Sequence, residues 1–410
     1  MLELSWKSAP LDDARAALGR LVDAVIESAA ELAPEVTREG DDVLVALHPA
    51  AAPITLRAES DRITMHADTG TAGPGYHEEV DALMRAAAKA TGIVWEDSSI
   101  PDRVALEHAM DDWLASTARE IVALADRGAT GFSILLPDGV EYAHTQLLAT
   151  PLGPRDRAWL ERVKTTPSAG RDVLAWWDHG RGAAYFAGLA RALAWTEVRW
   201  RSPIDDRERT LLDRVVTAIE RAHGLDPSID LPWLEAAEIY ELLGEDSLRA
   251  TRAGVLAEGL RKRGARDRIG YRRNAVRVSL SGGWSLVIPG ELAERWEERG
   301  TWVGWDRRRT IWMSSMTAEG DGASSTEAVL AGLPELPGEG DLLRMERGPI
   351  LGHARFAIGE DDGKPCAVLR AHAACGKHVA LGTIILPEDA DRTWALETWG
   401  TLDRDDADVS

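Results

Sequence analysis

Residues 43–67 read VLVALHPAAAPITLRAESDRITMHA. Three short runs stand out: Val43 to Leu47, Ile54 to Ala58 and Ile63 to Ala67. Apolar and polar side chains alternate in each, and turn residues separate them. A period of two sends neighbouring side chains to opposite faces, so each run reads as a strand with one face in a core. Strands this close together predict an antiparallel meander.

Working outward, Leu2 to Trp6 adds a short strand upstream. Leu18, Leu21, Val22, Val25, Ile26, Ala29 and Leu32 recur at helical spacing, and Pro34 stops that helix. Downstream, the turn Gly70-Thr71-Ala72-Gly73-Pro74-Gly75 leads into a helix striped by Val80, Leu83, Met84, Ala87 and Ala88. Residues 1–102 therefore read as an α+β domain.

Residues 103–247 read as mainly helical. Leu106, Met110, Trp113, Leu114, Thr117, Ile121 and Leu124 form one amphipathic face. The run Phe132 to Leu136 is expected to add a strand to the first sheet. Further helices are expected over Tyr185 to Trp200 and through Leu211, Leu212, Val215, Val216 and Ile219. Another starts at Asp230-Leu231-Pro232-Trp233, with Asp230 as its cap and Pro232 in its first turn.

Residues 248–273, rich in Arg and Gly, read as a basic connector. Residues 274–402 read as a β-rich α+β domain. Its expected strands are Val276 to Leu280, Trp284 to Ile288, Trp302 to Trp305, Thr310 to Met313, His353 to Ile358, Ala367 to Ala373 and His378 to Leu386. Leu292 with Trp296 suggests a helix, and Ala390 to Trp399 a closing one. Residues 403–410 read as a frayed acidic tail. The fold class is α+β: an N-terminal α+β domain, a helical middle and a C-terminal antiparallel-sheet domain with flanking helices.

At 410 residues the chain exceeds one ordinary core. Its formal charge of -21 opposes non-specific binding to nucleic acid or anionic membrane. There is no apolar run of about 18 residues to span a membrane and no signal-like N-terminus, so a cytoplasmic location is expected. The bias toward Ala, Arg, Asp and Gly over Lys suggests a high-GC bacterium. Two cysteines do not make a disulfide scaffold. Sixteen Trp against 3 Phe and 5 Tyr point to anchors between helices or domains, and some to contact residues.

Three places could hold chemistry. Gly73 and Gly75, followed by Tyr76 and His77, could offer backbone N–H groups, a phenol and an imidazole to a ligand. Glu78, Glu79 and Asp81 already occupy that helix start and would repel a phosphate. No Gly-Lys-Ser/Thr ending and no dinucleotide spacing is present, so no cofactor is implied. The plainer reading is a tight turn and cap.

The second place is the set His372, Cys375 and His378, with Cys366 and His353 nearby, all metal-ligand types. A turn at Cys375-Gly376 would set His372 opposite His378. Cys366 would lie roughly 20 Å from His372 along the strand. The paired spacing of a zinc site is missing, so no metal is expected and sheet-face histidines are the plainer reading.

The third place is Arg261, Lys262, Arg263, Arg266, Arg268, Arg272, Arg273 and Arg277. These could bind nucleic acid or an acidic partner. Only Tyr271 is aromatic among them, and pairing with the protein's own acidic surface is the plainer reading. Gly-x-Ser-x-Gly and His-Glu-x-x-His are absent.

Gly73-Pro74-Gly75-Tyr76-His77, Trp195-Thr196-Glu197-Val198-Arg199-Trp200-Arg201-Ser202-Pro203 and Leu231-Pro232-Trp233 resemble a group of uncharacterised bacterial proteins. Some of these are thought to be accessory parts of AAA-ATPase systems such as the ternary conflict systems. That resemblance covers about the first 245 residues and implies a protein partner and a defence role, but no catalytic residues. Val278-Ser279-Leu280-Ser281-Gly282-Gly283-Trp284 is similar to the start of the Mog1/PsbP-like fold, whose members usually bind partners. The expectation is a non-enzymatic interaction protein with a protein partner. The alternatives are a ligand-binding protein or enzyme near Tyr76 and His77, and a nucleic-acid binder using Arg261 to Arg277.

Overall fold

The computed structural model describes residues 2–96, 102–136, 147–264, 269–297, 300–318, 325–338, 341–361, 363–388, 390 and 392–405. The chain divides into two compact units. The first is built from Met1–Asp138, His144–Val198 and Asp205–Tyr271; Arg199–Ile204 and Arg272–Ser410 belong to the second.

The first unit opens with β1 (Glu3–Ser8), α1 (Ala14–Ser28), β2 (Glu35–Glu39), β3 (Asp42–Ala46), β4 (Ile54–Glu59), β5 (Arg62–Asp68), α2 (Pro74–Thr91) and β6 (Trp95–Glu96). The strands form an antiparallel sheet in the order β2-β3-β4-β5-β1-β6. The expected meander is present, extended by the wholly exposed, charged β2. Such an edge discourages pairing with other chains. β1 alternates exposed and buried residues and sets Leu4 beside Ala67 and Trp6 beside Met65. Leu18, Leu21, Val22 and Val25 of α1 are buried, and the Asp13 carboxylate caps that helix by accepting the Ala16 N–H.

The unit continues with α3 (Arg103–Ala125), β7 (Phe132–Ser133), β8 (Leu148–Thr150), β9 (Gly153–Arg155) and α4 (Arg157–Thr165). Met110, Leu114 and Ile121 of α3 share a core with Trp159, Leu160 and Val163 of α4. The strand at Phe132 does not join the first sheet. It pairs in parallel with β8 in a separate three-stranded sheet, β7-β8-β9.

Then come α5 (Ala183–Thr196), α6 (Asp206–Leu225), α7 (Trp233–Leu243) and α8 (Leu248–Lys262). α5 is buried on nearly all sides, as its apolar composition requires. Asp205 caps α6. Asp230 does not cap α7: Pro232 holds that position, and Asp230 binds Arg191 instead. The expected basic connector is largely α8, capped by Ser247.

The second unit contains β10 (Ala275–Ser279), β11 (Trp284–Pro289), β12 (Ala293–Glu297), β13 (Thr301–Trp305), β14 (Thr310–Thr317), α9 (Thr326–Ala331), β15 (Leu343–Arg347), β16 (Ile350–Asp361), β17 (Lys364–Cys375), β18 (His378–Pro387), α10 (Thr393–Gly400) and β19 (Asp403–Arg404). Seven strands make an antiparallel sheet in the order β12-β13-β14-β18-β17-β16-β15, and β10-β11-β19 make a smaller one. The helix expected at Leu292 and Trp296 is the edge strand β12, where Trp296 pairs with Trp302. The expected frayed tail begins with a strand, because Asp403 and Arg404 pair with Ser285 and Trp284. Residues 406–410 lie outside the described residues.

The large sheet has two unlike faces. Ile311, Met313, Leu369, Ala371 and Ile384 are buried on one. A side chain at Gly352 on that face would strike the Trp399 ring of α10 at 2.8 Å, which shows how closely the helix sits. The opposite face is part-covered by α9, whose Val329 and Leu330 pack with Ala374 and Val379.

Candidate functional site

Gly73 has φ +116, a conformation that favours glycine. Gly75 lies against the chain at Trp176–Asp178: a Cβ there would fall 2.1 Å from the Asp178 carbonyl oxygen. The Gly75 N–H donates to the carbonyls of Trp176 and Trp177, at 3.1 Å each. The protein's own backbone thus occupies the α2 N-terminus, the place an anion would take. Glu78 pairs with Arg103, Glu79 with Arg181 and Asp81 with Arg85.

Tyr76 and His77 point inward and are buried. The Tyr76 ring lies 5.7 Å from that of Trp176, and His48 lies 5.9 Å from the same indole. Burial pushes the Tyr76 phenol up and the His77 imidazole down from their ordinary values. Thr69 donates its hydroxyl to the Leu2 carbonyl (3.0 Å), so His77 Nδ1 donates in its 2.7 Å contact with Thr69 Oγ1. His77 Nε2 is then an acceptor. Ala50 N–H donates to His48 Nδ1, so His48 Nε2 carries a proton. Among the described residues, these two Nε2 atoms and the Tyr76 hydroxyl have no partner. A separate apolar cavity of about 260 Å³ begins beside the turn, lined by Leu2, Asp68, Thr71, Met110, Trp113 and Leu135.

The hairpin histidines are placed differently from expectation. Gly376 and Lys377 form the β17–β18 turn, and Cys375 is paired with His378. His372 lies opposite Leu381 on one side and His353 on the other. His372 and His378 are therefore not brought together: they are six residues apart across a two-residue turn, which puts them on opposite faces of the sheet. No cluster of three or more His, Cys, Asp or Glu able to hold a metal occurs among the described residues. Both cysteines are buried.

The basic residues are dispersed. Arg261 and Lys262 share Glu258 on α8, whereas Arg272 pairs with Glu294 and Arg277 with Asp403. Arg273 stacks 3.4 Å over the Trp200 ring. Arg263 follows the end of α8, and Arg266 and Arg268 lie outside the described residues.

A different cationic group forms on the α9 side of the large sheet. Arg344, His353 and His372 sit side by side across β15, β16 and β17. One pair further along, Arg355 and Arg370 are directly opposed, and the row continues through Thr383 to Trp312. Like charges set directly opposite cost stability. Arg355 donates to the Leu336 carbonyl and lies near Glu335. Arg344 and Arg370 are exposed, and neither has an acidic partner among the described residues. Burial together with Arg344 lowers the His353 pKa, and burial together with His353 lowers that of His372. Trp312 is 38% exposed, and Met316, on the same face of β14, is 50% exposed.

The traces of this group in the sequence are the i,i+2 pairs His353/Arg355 and Arg370/His372. Each pair alternates with small or apolar residues, as one face of a strand requires. The pairs converge only once strand register is known.

No protein-family model matches the chain, and comparison with curated protein sequences gives no match. A solved structure from Bacteroides thetaiotaomicron VPI-5482 is similar over 32% of this chain and 48% of that one, at 12% identity and a TM-score of 0.26. The matched region is thus about half of that protein's length.

Proposed function

We propose that this chain is a non-enzymatic binding protein of the bacterial cytoplasm that serves as an accessory component of a multi-protein system, in keeping with the defence-system resemblance of its first 245 residues. One observation carries the reading: exposed Trp312 and Met316 share a half-covered sheet face with cationic side chains that oppose one another. A fold that retains opposed like charges beside an exposed indole has a surface shaped for something other than stability. No helix among the described residues is long and apolar enough to cross a membrane.

The test is cross-linking of the full chain in its native host, with the linked peptides mapped. Links are expected at β14 and β17 and should disappear with Trp312→Ser combined with Arg370→Glu. A binding partner linked equally well to that double variant would overturn the reading. A second reading, a small-ligand site in the first unit, is favoured by the 260 Å³ cavity beside Thr71 and Trp113. It predicts that a bound apolar ligand raises the melting temperature and that Trp113→Ala abolishes the rise.

A further inference from the structure

We propose that the cationic rows and Trp312 together form a binding site for nucleotide phosphate esters, with the phosphate on Arg344 and Arg370 and the base stacked on Trp312. This rests on the reading that the open sheet face is the binding surface, and adds the chemistry of what it binds.

The charge pattern comes first. Two adjacent cross-strand rows bring five basic side chains, Arg344, His353, His372, Arg355 and Arg370, onto three strands. Neither row contains an acid on those strands. In a chain with 68 acidic residues against 47 Lys and Arg, this concentration of basic side chains runs against the overall bias, and with Arg355 paired to Glu335 the open charges are Arg344 and Arg370. Arg355 is anchored to the Leu336 carbonyl, so its guanidinium is held in place. The half-buried imidazoles are held below their ordinary pKa, so near neutral pH they act as hydrogen-bonding groups and the arginines supply the charge. Planar guanidinium groups suit phosphate oxygens.

The aromatic element comes second. Arg370, Thr383 and Trp312 are consecutive in one cross-strand row. Strands lie about 4.8 Å apart, so the Trp312 backbone is about 10 Å from that of Arg370. Long side chains leaning inward from both ends can bridge the span from a phosphate to its base. An exposed indole on an antiparallel sheet is a stacking platform for any base. An acidic peptide would satisfy the arginines but would leave Trp312 without a role.

The experiment is equilibrium binding of AMP, ATP, single-stranded 12-mer oligonucleotides, inorganic phosphate and a poly-glutamate peptide to the full chain. Arg370→Glu, Arg344→Glu and Trp312→Ala are compared with the parent, after thermal melting shows that each is folded. Nucleotide binding is expected to weaken about 5- to 150-fold in Trp312→Ala, the range for loss of one stacked base. It should weaken at least about tenfold in Arg370→Glu. In the unaltered chain, affinity should fall as salt rises.

Binding of AMP and ATP supports the site with a free nucleotide as its ligand. Binding of the 12-mers alone supports it with a single strand as the source. If phosphate or poly-glutamate binds as tightly as nucleotide and Trp312→Ala has no effect, the nucleotide assignment is overturned. If no probe binds while native cross-links still map to β14 and β17, this inference fails and the binding-surface reading stands.

Discussion

At the scale of single residues, the turn before α2 is a packing joint. Gly75→Ala would drive a methyl group into the Asp178 carbonyl, 2.1 Å away. Such overpacking costs about 1–3 kcal/mol, so the urea midpoint should fall without a change in slope. His48 gives a second prediction. Burial, aided by Arg214, holds its pKa down to about 3. The unfolded chain protonates this imidazole below about pH 6.5, while the folded chain does not. Stability from this residue is therefore complete above that pH and is lost as pH falls toward 3, by up to about 1.4 kcal/mol per unit. Urea melts from pH 7 to 4 should show a shallower decline for His48→Leu than for the parent. The glycine and proline pattern disclosed the turn itself. That Tyr76 and His77 face inward was not legible, because it depends on Trp176, which packs there from a distant part of the chain.

At the scale of elements, the basic segment separates into unlike parts. Arg261 and Lys262 are exposed α8 residues sharing Glu258, so replacing both with Ala should change stability by less than about 0.5 kcal/mol. Arg272 is 11% exposed and paired with Glu294. Arg272→Ala strands that carboxylate and should cost about 2 kcal/mol, measured by chemical denaturation. A loss below about 0.5 kcal/mol would show that the pair contributes nothing. The meander of β3, β4 and β5 was legible because alternation and turns agreed. The edge strand β12 was not. Leu292 and Trp296 are four residues apart, and that spacing places two side chains on the same side of either a helix or a strand. Pairing with β13 decides between them.

At the scale of the whole molecule, charge governs behaviour in solution. The sequence pI is about 5.0, so repulsion between copies vanishes as pH approaches that value. Reversible light scattering should peak near pH 5 while the far-ultraviolet dichroism stays native, and added salt should raise scattering at pH 7.5. Scattering that is flat from pH 8 to 5 would count against this. The large sheet's cationic face is a local exception that only register creates. His353, Arg355, Arg370 and His372 are visible as i,i+2 pairs, yet nothing in the chain marks them as opposed.

The sequence by itself determined the α+β class, the meander, most helices and the charge, because these follow from local periodicity and composition. The tertiary structure alone decided three things: that β7 pairs with β8 rather than the first sheet, that Asp403 and Arg404 form a strand on β11, and that five basic side chains share one sheet face with Trp312. Each joins residues far apart in the chain. The free energy of such a pairing depends on which distant apolar surface is buried with it, and no local pattern records that choice.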